Sequence, residues 1–369
     1  MTPIKIVVAL VVGLLTFAEM PARGAEIPTP DDTAKFLAGL PVSTDSPLAP
    51  LTEASAWKAH ARQLSSLFAS FEGNQSSKIR NWSDANLLSP TPTLFYMFSG
   101  PDFLYADSFF PKATTYMLSG LESVGEIPDV TKVKSSALPH GLSRLRASMR
   151  TLLSLSFFKT NDMRSELRSG RFLGTLPVIY IFLARTGHTI RDVSLVYVDP
   201  TGEVKTEDAE RKKSLAQGVR ITFSANDGRE QTLYYFTTNL SDDGVKKSGF
   251  LIFCGSFGSG SALLKSASYL PHGSAFGTVR NFLLDHASMI VQDDTGVPLK
   301  FFDVSKWQLE PFGNYVPPIS LFSRYYQPKM RQLFIREKAP KISFGLGYHH
   351  QSAQTSILLA IRKGAVAEH

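Results

Sequence analysis

Apolar positions along this chain change period several times, and the changes divide it into elements. Over 53–72, Trp57, Leu64, Leu67 and Phe68 recur at helical spacing and lay one apolar stripe along a helix. Thr93–Phe98 is instead an unbroken apolar run, which predicts a buried strand. Ser99-Gly100-Pro101-Asp102 then predicts a turn opening a short helix through Phe110, where Pro111 stops it. Thr114–Leu121 reads as a second strand, ending at Glu122, and apolar spacing predicts helices over 142–155 and 171–186.

The middle of the chain alternates. Val193–Val198, Val219–Phe223 and Gln231–Phe236 predict strands, joined by the turn formers Asp199-Pro200-Thr201-Gly202 and Asn226-Asp227-Gly228. This is an antiparallel meander from which 203–213 loops out. A strand at Gly249–Cys254, a Gly/Ser loop and helices near 261–270 and 276–286 follow. Ser288–Gln292 predicts another strand, and the tail mixes a helix at 320–337 with strands at 342–348 and 355–362. The fold class expected is α/β (or α+β), a mixed sheet flanked by helices with the meander inserted. By segment, 25–55 is a loose lead-in rich in Pro, Thr and Ser, and 56–190 an N-terminal α/β half. Residues 191–248 form the antiparallel insertion and 249–369 a C-terminal α/β half.

Two stretches echo each other. Leu138-Pro139-His140-Gly141 precedes Arg150, Leu152-Leu153 and Phe157–Asn161; Leu270-Pro271-His272-Gly273 precedes Arg280, Leu283-Leu284 and Ile290–Asp294. A duplicated α/β unit accounts for this, and so does coincidence.

The first residues alter the picture of where the chain works. Lys5, the uncharged run Ile6–Phe17 and Ala22-Arg23-Gly24 follow the order of a secretory signal over 1–24. The run falls short of the ~20 residues a spanning helix needs, so no integral membrane segment is expected once the signal is removed. Export to the periplasm or the medium is the expected localisation. The single Cys254 sits in an apolar run and reads as a small buried hydrophobe, with no disulfide available within the chain. The formal charge of +7 is spread along the chain, which argues against a nucleic-acid partner.

Candidate chemistry clusters at predicted strand ends, where ligands gather in α/β sheets. Gly100 to Glu122 has the outline of a nucleotide-binding half, with Ser99 and Gly100 in the turn. Only one glycine stands where that fingerprint needs three, so a structural turn competes with it. The Gly255–Ser261 loop, with Gly258 and Gly260, offers backbone N–H groups to an anion but lacks a P-loop lysine. Gln292-Asp293-Asp294-Thr295-Gly296 carries the Asp-Thr-Gly letters of aspartic proteases, in which two aspartates share a proton. The echo position has no second copy, and the same letters make a good β-turn. No His, Cys or carboxylate spacing matches a metal site, and no cofactor is expected. His140 and His272 follow proline at predicted helix starts, where capping or packing is their ordinary role.

Phe98-Ser99-Gly100-Pro101-Asp102-Phe103, Ser268-Tyr269-Leu270-Pro271-His272 and Gln292–Pro298 together resemble a family of uncharacterised exported bacterial proteins, over most of 90–350. The resemblance implies a shared site and names no activity. The first expectation is a protein that binds a small or polymeric ligand in a cleft between two α/β halves, through Ser99, Gly100, Glu122, Gly258, Gly260 and Gln292. The alternative is a hydrolase in which Asp102, Asp293 and Asp294 act with His272 as acid or base. A third is an envelope factor docking a protein partner through Tyr325-Tyr326 and the basic stretch 329–341.

Overall fold

In the computed structural model, which describes residues 27–155, 174–350 and 355–364, one sheet of ten strands carries helices on both faces. The strands are β1 (Thr93–Tyr96), β2 (Thr115–Gly120), β3 (Thr189–Val198), β4 (Val204–Lys205) and β5 (Ala216–Ser224). They continue with β6 (Glu230–Thr238), β7 (Gly260–Leu264), β8 (Ala287–Gln292), β9 (Trp307–Gly313) and β10 (Ser356–Arg362). Their order is β4-β3-β5-β6-β2-β1-β7-β8-β10-β9. From β6 to β8 the strands run parallel. The meander adds β5, β3 and β4 antiparallel on one side, and β10 and β9 add antiparallel on the other. This is the mixed, helix-flanked α/β sheet that the periodicity predicts. Strands of all three predicted segments share it, since β1 and β2 pair with β7 and β6.

Side-chain alternation divides the core into two layers. Leu94 and Tyr96 of β1 pack with helices α1 (Pro30–Leu37), α2 (Ser55–Phe71), α3 (Ser77–Asn86), α4 (Phe103–Phe109), α5 (Leu138–Leu155) and α6 (Leu176–Arg185). Between α6 and β5, the short α7 (Asp208–Arg211) carries no buried residue. Phe95 and Met97 pack on the other face with α8 (Asp242–Ser248), α9 (Phe250–Gly255), α10 (Gly277–His286) and α11 (Pro328–Arg336). Helix α4 links β1 to β2 on the first face, and α10 links β7 to β8 on the second. The crossovers therefore diverge between β1 and β7, which makes a topological switch point there.

Several expectations are corrected. Gly249–Cys254 is helix α9 with its lead-in, and the strand comes later, at β7, where a helix over 261–270 was expected. Phe250, Phe253 and Cys254 are buried while Ile252 is exposed, so the apolar run follows helical spacing over too few residues to separate the two readings. Residues 342–348 hold no strand; they turn through Gly347 (φ 61°). Strand β9 escapes the sequence reading because Pro311 interrupts it, and such a proline is tolerated at an edge, where β9 lies. The lead-in contains α1, whose first turn is capped by Thr29. The echoing segments also part company. His140 lies inside the continuous helix α5, whereas His272 ends a 3₁₀ turn before α10 begins at Gly277. The expected signal 1–24 and the echo's Phe157–Asn161 lie outside the described residues. Among the described residues, no helix is long and apolar enough to cross a membrane.

Candidate functional site

At the switch point a cavity of about 150 Å³ opens at the carboxyl ends of β1, β2, β6 and β7. That is room for several waters or a small metabolite. Its polar wall comes from Ser99 and Gly100 after β1, Glu122 after β2, Asn239 after β6, and Lys265, Ser266 and Ser268 after β7. Phe98, Leu240, Leu270 and Phe276 supply apolar surface.

The backbone bends sharply to build these walls. Phe98 (φ 62°) and Gly100 (φ 57°) take left-handed conformations in the turn after β1. Ser266, Ser268 and Tyr269 do the same after β7, at φ 52°, 51° and 56°. Each such non-glycine residue stores about 1–2 kcal/mol, and such strain concentrates at ligand sites. Gly120 is required by close approach. A Cβ there would meet Glu122 Oε2 at 2.4 Å and the Gly100 Cα at 2.9 Å, so only glycine lets the β1 turn and the Glu122 side chain come together.

Beneath the cavity lies a buried ion pair. Lys265 Nζ donates to Asp102 Oδ2 at 2.8 Å, with both side chains almost fully enclosed. Tyr96 OH donates to the same oxygen at 2.7 Å, and the Tyr105 N–H to Oδ1 at 3.3 Å. The Lys265 ammonium also sits 3.7 Å from the Tyr105 ring centroid, a cation–π contact in a dry setting. Burial, and then the Asp102 charge, hold the Tyr96 phenol well above its ordinary value, so it stays a donor.

Asp102 is also the N-cap of α4. This decides the nucleotide-like outline. The strand, turn, helix and following acid are all in place around the cavity, yet a carboxylate already occupies the helix N-terminus where a phosphate would bind. The site therefore disfavours phosphate there.

The Asp-Asp-Thr-Gly segment lies behind the cavity. Asp293 Oδ2 accepts from the Ser266 N–H at 2.8 Å, and Oδ1 accepts from the Thr295 N–H at 2.9 Å and from its hydroxyl. Asp294 accepts from the Tyr269 hydroxyl. Burial raises the Asp293 carboxyl above its ordinary range. Burial first, and the Asp293 charge second, push Asp294 up to about 7. Gly347 closes over this pair, since a Cβ there would lie 2.1 Å from Asp293 Oδ2. Asp293 and Asp294 thus tie the strained 266–269 turn to the end of β8. Both oxygens of Asp293 are engaged in that task, unlike those of a protease dyad.

Other expected site residues move away from the cavity. Gln292 clamps its own turn, donating to Val297 O and accepting from Val297 N, each at 2.8 Å. Replacing it by Leu should strand both backbone groups and lower stability by about 2–4 kcal/mol in urea unfolding. A loss well under 1 kcal/mol would show that water replaces the clamp. Gly258 and Gly260 stand at the amino end of β7, the end of the sheet opposite the cavity, because the strand follows their loop instead of preceding it. His272 packs edge-on against Tyr269 and Tyr325, and burial pushes it down to about 4, so it is neutral near pH 7. Tyr325 lies parallel to Tyr269 with centroids 5.0 Å apart, covering the turn.

Of the expected residues, Ser99, Gly100, Asp102 and Glu122 meet at the cavity. Lys265 is the principal residue that sequence reading missed. Its signal was a lone lysine directly after the apolar Ala262-Leu263-Leu264, hidden by the helix assigned there. Among the described residues no three His, Cys, Asp or Glu side chains group closely enough to hold a metal ion. Compared with known proteins, the chain matches no family model, no curated sequence and no solved structure.

Proposed function

We propose that this protein binds a small polar molecule in the cavity at the strand carboxyl ends, holding a donor-rich group of that molecule, an amine or a set of hydroxyls, on Glu122. One observation carries the reading. Glu122 is only 4 % exposed and lines the cavity, with the Tyr235 hydroxyl beside its carboxylate but, among the described residues, no cation to pair with it. Its backbone oxygen is satisfied, by Tyr235 OH at 2.8 Å and Thr237 Oγ1 at 2.7 Å, so the residue is well anchored. A buried, unpaired carboxylate is costly unless something pairs with it.

Binding is favoured over hydrolysis because Asp102, Asp293 and Asp294 are all committed to internal partners. Phe98 and Phe276, which meet edge-on at 6.0 Å, suit the apolar side of a sugar or an alkyl amine. On the reading of 1–24 as an export signal, the ligand is met outside the cytoplasm.

The test is titration calorimetry of the chain from Ala25 with amines, amino sugars, neutral sugars and polyols, beside phosphates and carboxylates. We expect binding from the amine or polyol group. In Glu122→Gln it should weaken about 10- to 100-fold, the worth of a hydrogen bond to a charged group. Equal affinity in the variant, or binding confined to anions, would reject the proposal.

A further inference from the structure

A second concave region lies at the opposite end of the sheet. It is a groove of about 720 Å³ bounded by α2, α4, the turn from α6 into β3 and the turn from β5 into β6. Asp107, on α4, forms part of its floor and is 7 % exposed. His188 Nε2 lies 3.6 Å from its carboxyl, too long for a hydrogen bond. Nor does His188 serve as its counter-ion. Its Nδ1 is hydrogen-bonded with Thr186 Oγ1 at 2.8 Å, and burial pushes the ring down to about 4, so it is neutral at pH 7. Left in this state, Asp107 is pushed up to about 7 by burial.

The cations along the groove are not equivalent. Arg80 is paired with Glu72, and Arg229 with Asp227 at 2.6 Å, so these two pairs cancel. Arg185 meets no carboxylate among the described residues. Its guanidinium donates to Ala38 O at 2.8 Å and to Ser65 Oγ at 3.3 Å, and lies over the Phe68 ring. Burial lowers it to about 10. The groove thus keeps one carboxyl and one guanidinium without a counter-charge, and Phe68, Phe71 and Leu104 also line it.

We propose that this groove is a second binding site, for a small zwitterion with a free ammonium and a free carboxylate, such as an amino acid or short peptide: the ammonium meets Asp107 and the carboxylate meets Arg185. Charge complementarity selects this class. A simple amine would leave Arg185 without a counter-charge, and a simple anion would leave Asp107 without one. Apolar side chains of the ligand would lie on Phe68, Phe71 and Leu104. The site is independent of the cavity at Glu122.

The probes are L-leucine and leucyl-leucine, which differ in the spacing of their end charges, with N-acetyl-leucine and leucinamide as single-charge controls. Calorimetry on the chain from Ala25 should show one of the zwitterions binding, with either control weakened about 10- to 100-fold. Asp107→Asn should weaken the zwitterion by a similar factor, while Glu122→Gln leaves it unchanged. The controls act on the unaltered protein, so a poorly folding variant does not spare the proposal. Failure of both zwitterions at about 10 mM, a Kd corresponding to under 3 kcal/mol, would overturn it. Equal binding of N-acetyl-leucine, or loss of binding in Glu122→Gln, would overturn it as well.

Discussion

Replacing Lys265 by Met will remove about 3–5 kcal/mol of folding stability, and adding Asp102→Asn to that variant will restore much of the loss. Denaturant unfolding of the two variants beside the parent measures both. The ammonium and carboxylate side chains are 2 % and 3 % exposed and 2.8 Å apart, so neither charge has bulk water to fall back on. Without the ammonium, Asp102 retains the Tyr96 hydroxyl and the Tyr105 N–H, two partners for a charge that had three. Asparagine in its place carries no charge and still caps α4. The cycle therefore separates the penalty of a stranded charge from the worth of the pair itself. A single-variant loss below about 1 kcal/mol, typical of exposed pairs, would mean that water reaches the pair and the cavity floor is open.

Asp294→Asn will gain stability relative to the parent as pH rises from 5 to 8, by about 3 kcal/mol. The carboxyl's ordinary value is 3.8, and burial together with Asp293 brings it to about 7. The folded chain therefore holds a proton that the unfolded chain releases above pH 4. The stability this group contributes is complete below about pH 4 and declines as pH rises toward 7, after which it levels off. Asparagine does not titrate and keeps an oxygen for the Tyr269 hydroxyl, so the difference between the two proteins reports Asp294 together with its neighbour Asp293. Other buried groups titrate over the same range, among them His60, His188 and His272, each pushed down to about 4. They act equally in both proteins and cancel. A difference that stays flat from pH 5 to 8 would mean that Asp294 is ionised throughout, and that the turn at 266–269 is held by charge instead of by a shared proton.

Much of the fold was legible because its signals are local. The meander announced itself through alternation and through Asp-Pro-Thr-Gly and Asn-Asp-Gly turns, and β3, β5 and β6 fall where those signals placed them. The unit from β1 through α4 to β2 was equally plain, since Gly100, Asp102 and Pro111 mark its corners. So Ser99, Gly100, Asp102 and Glu122 were found as a group, and strand-end position was reason enough to choose them. Short apolar runs failed where period and length disagree. Phe250–Cys254 fits either a strand or a helical turn by its local pattern, and in the fold it is a helix whose Phe250 packs edge-on against Phe236 of the sheet. That one choice displaced β7, hid Lys265, and put Gly258 and Gly260 at the wrong end of the sheet.

Local pattern, then, fixes the class of the fold and the places where strands end in polar residues, because periodicity and turn chemistry act over a few residues. Which of those ends converge depends on the packing of the whole chain. The distances that matter join residues far apart in the chain: Lys265 to Asp102, Asp293 to Ser266, Asp107 to His188. Strand order sets them, and no local pattern reports strand order. The same holds for what each acid meets. Asp294 and Glu122 are both acids after apolar strands, but one accepts from Tyr269 deep behind a strained turn, and the other lines a cavity with no cation paired to it among the described residues.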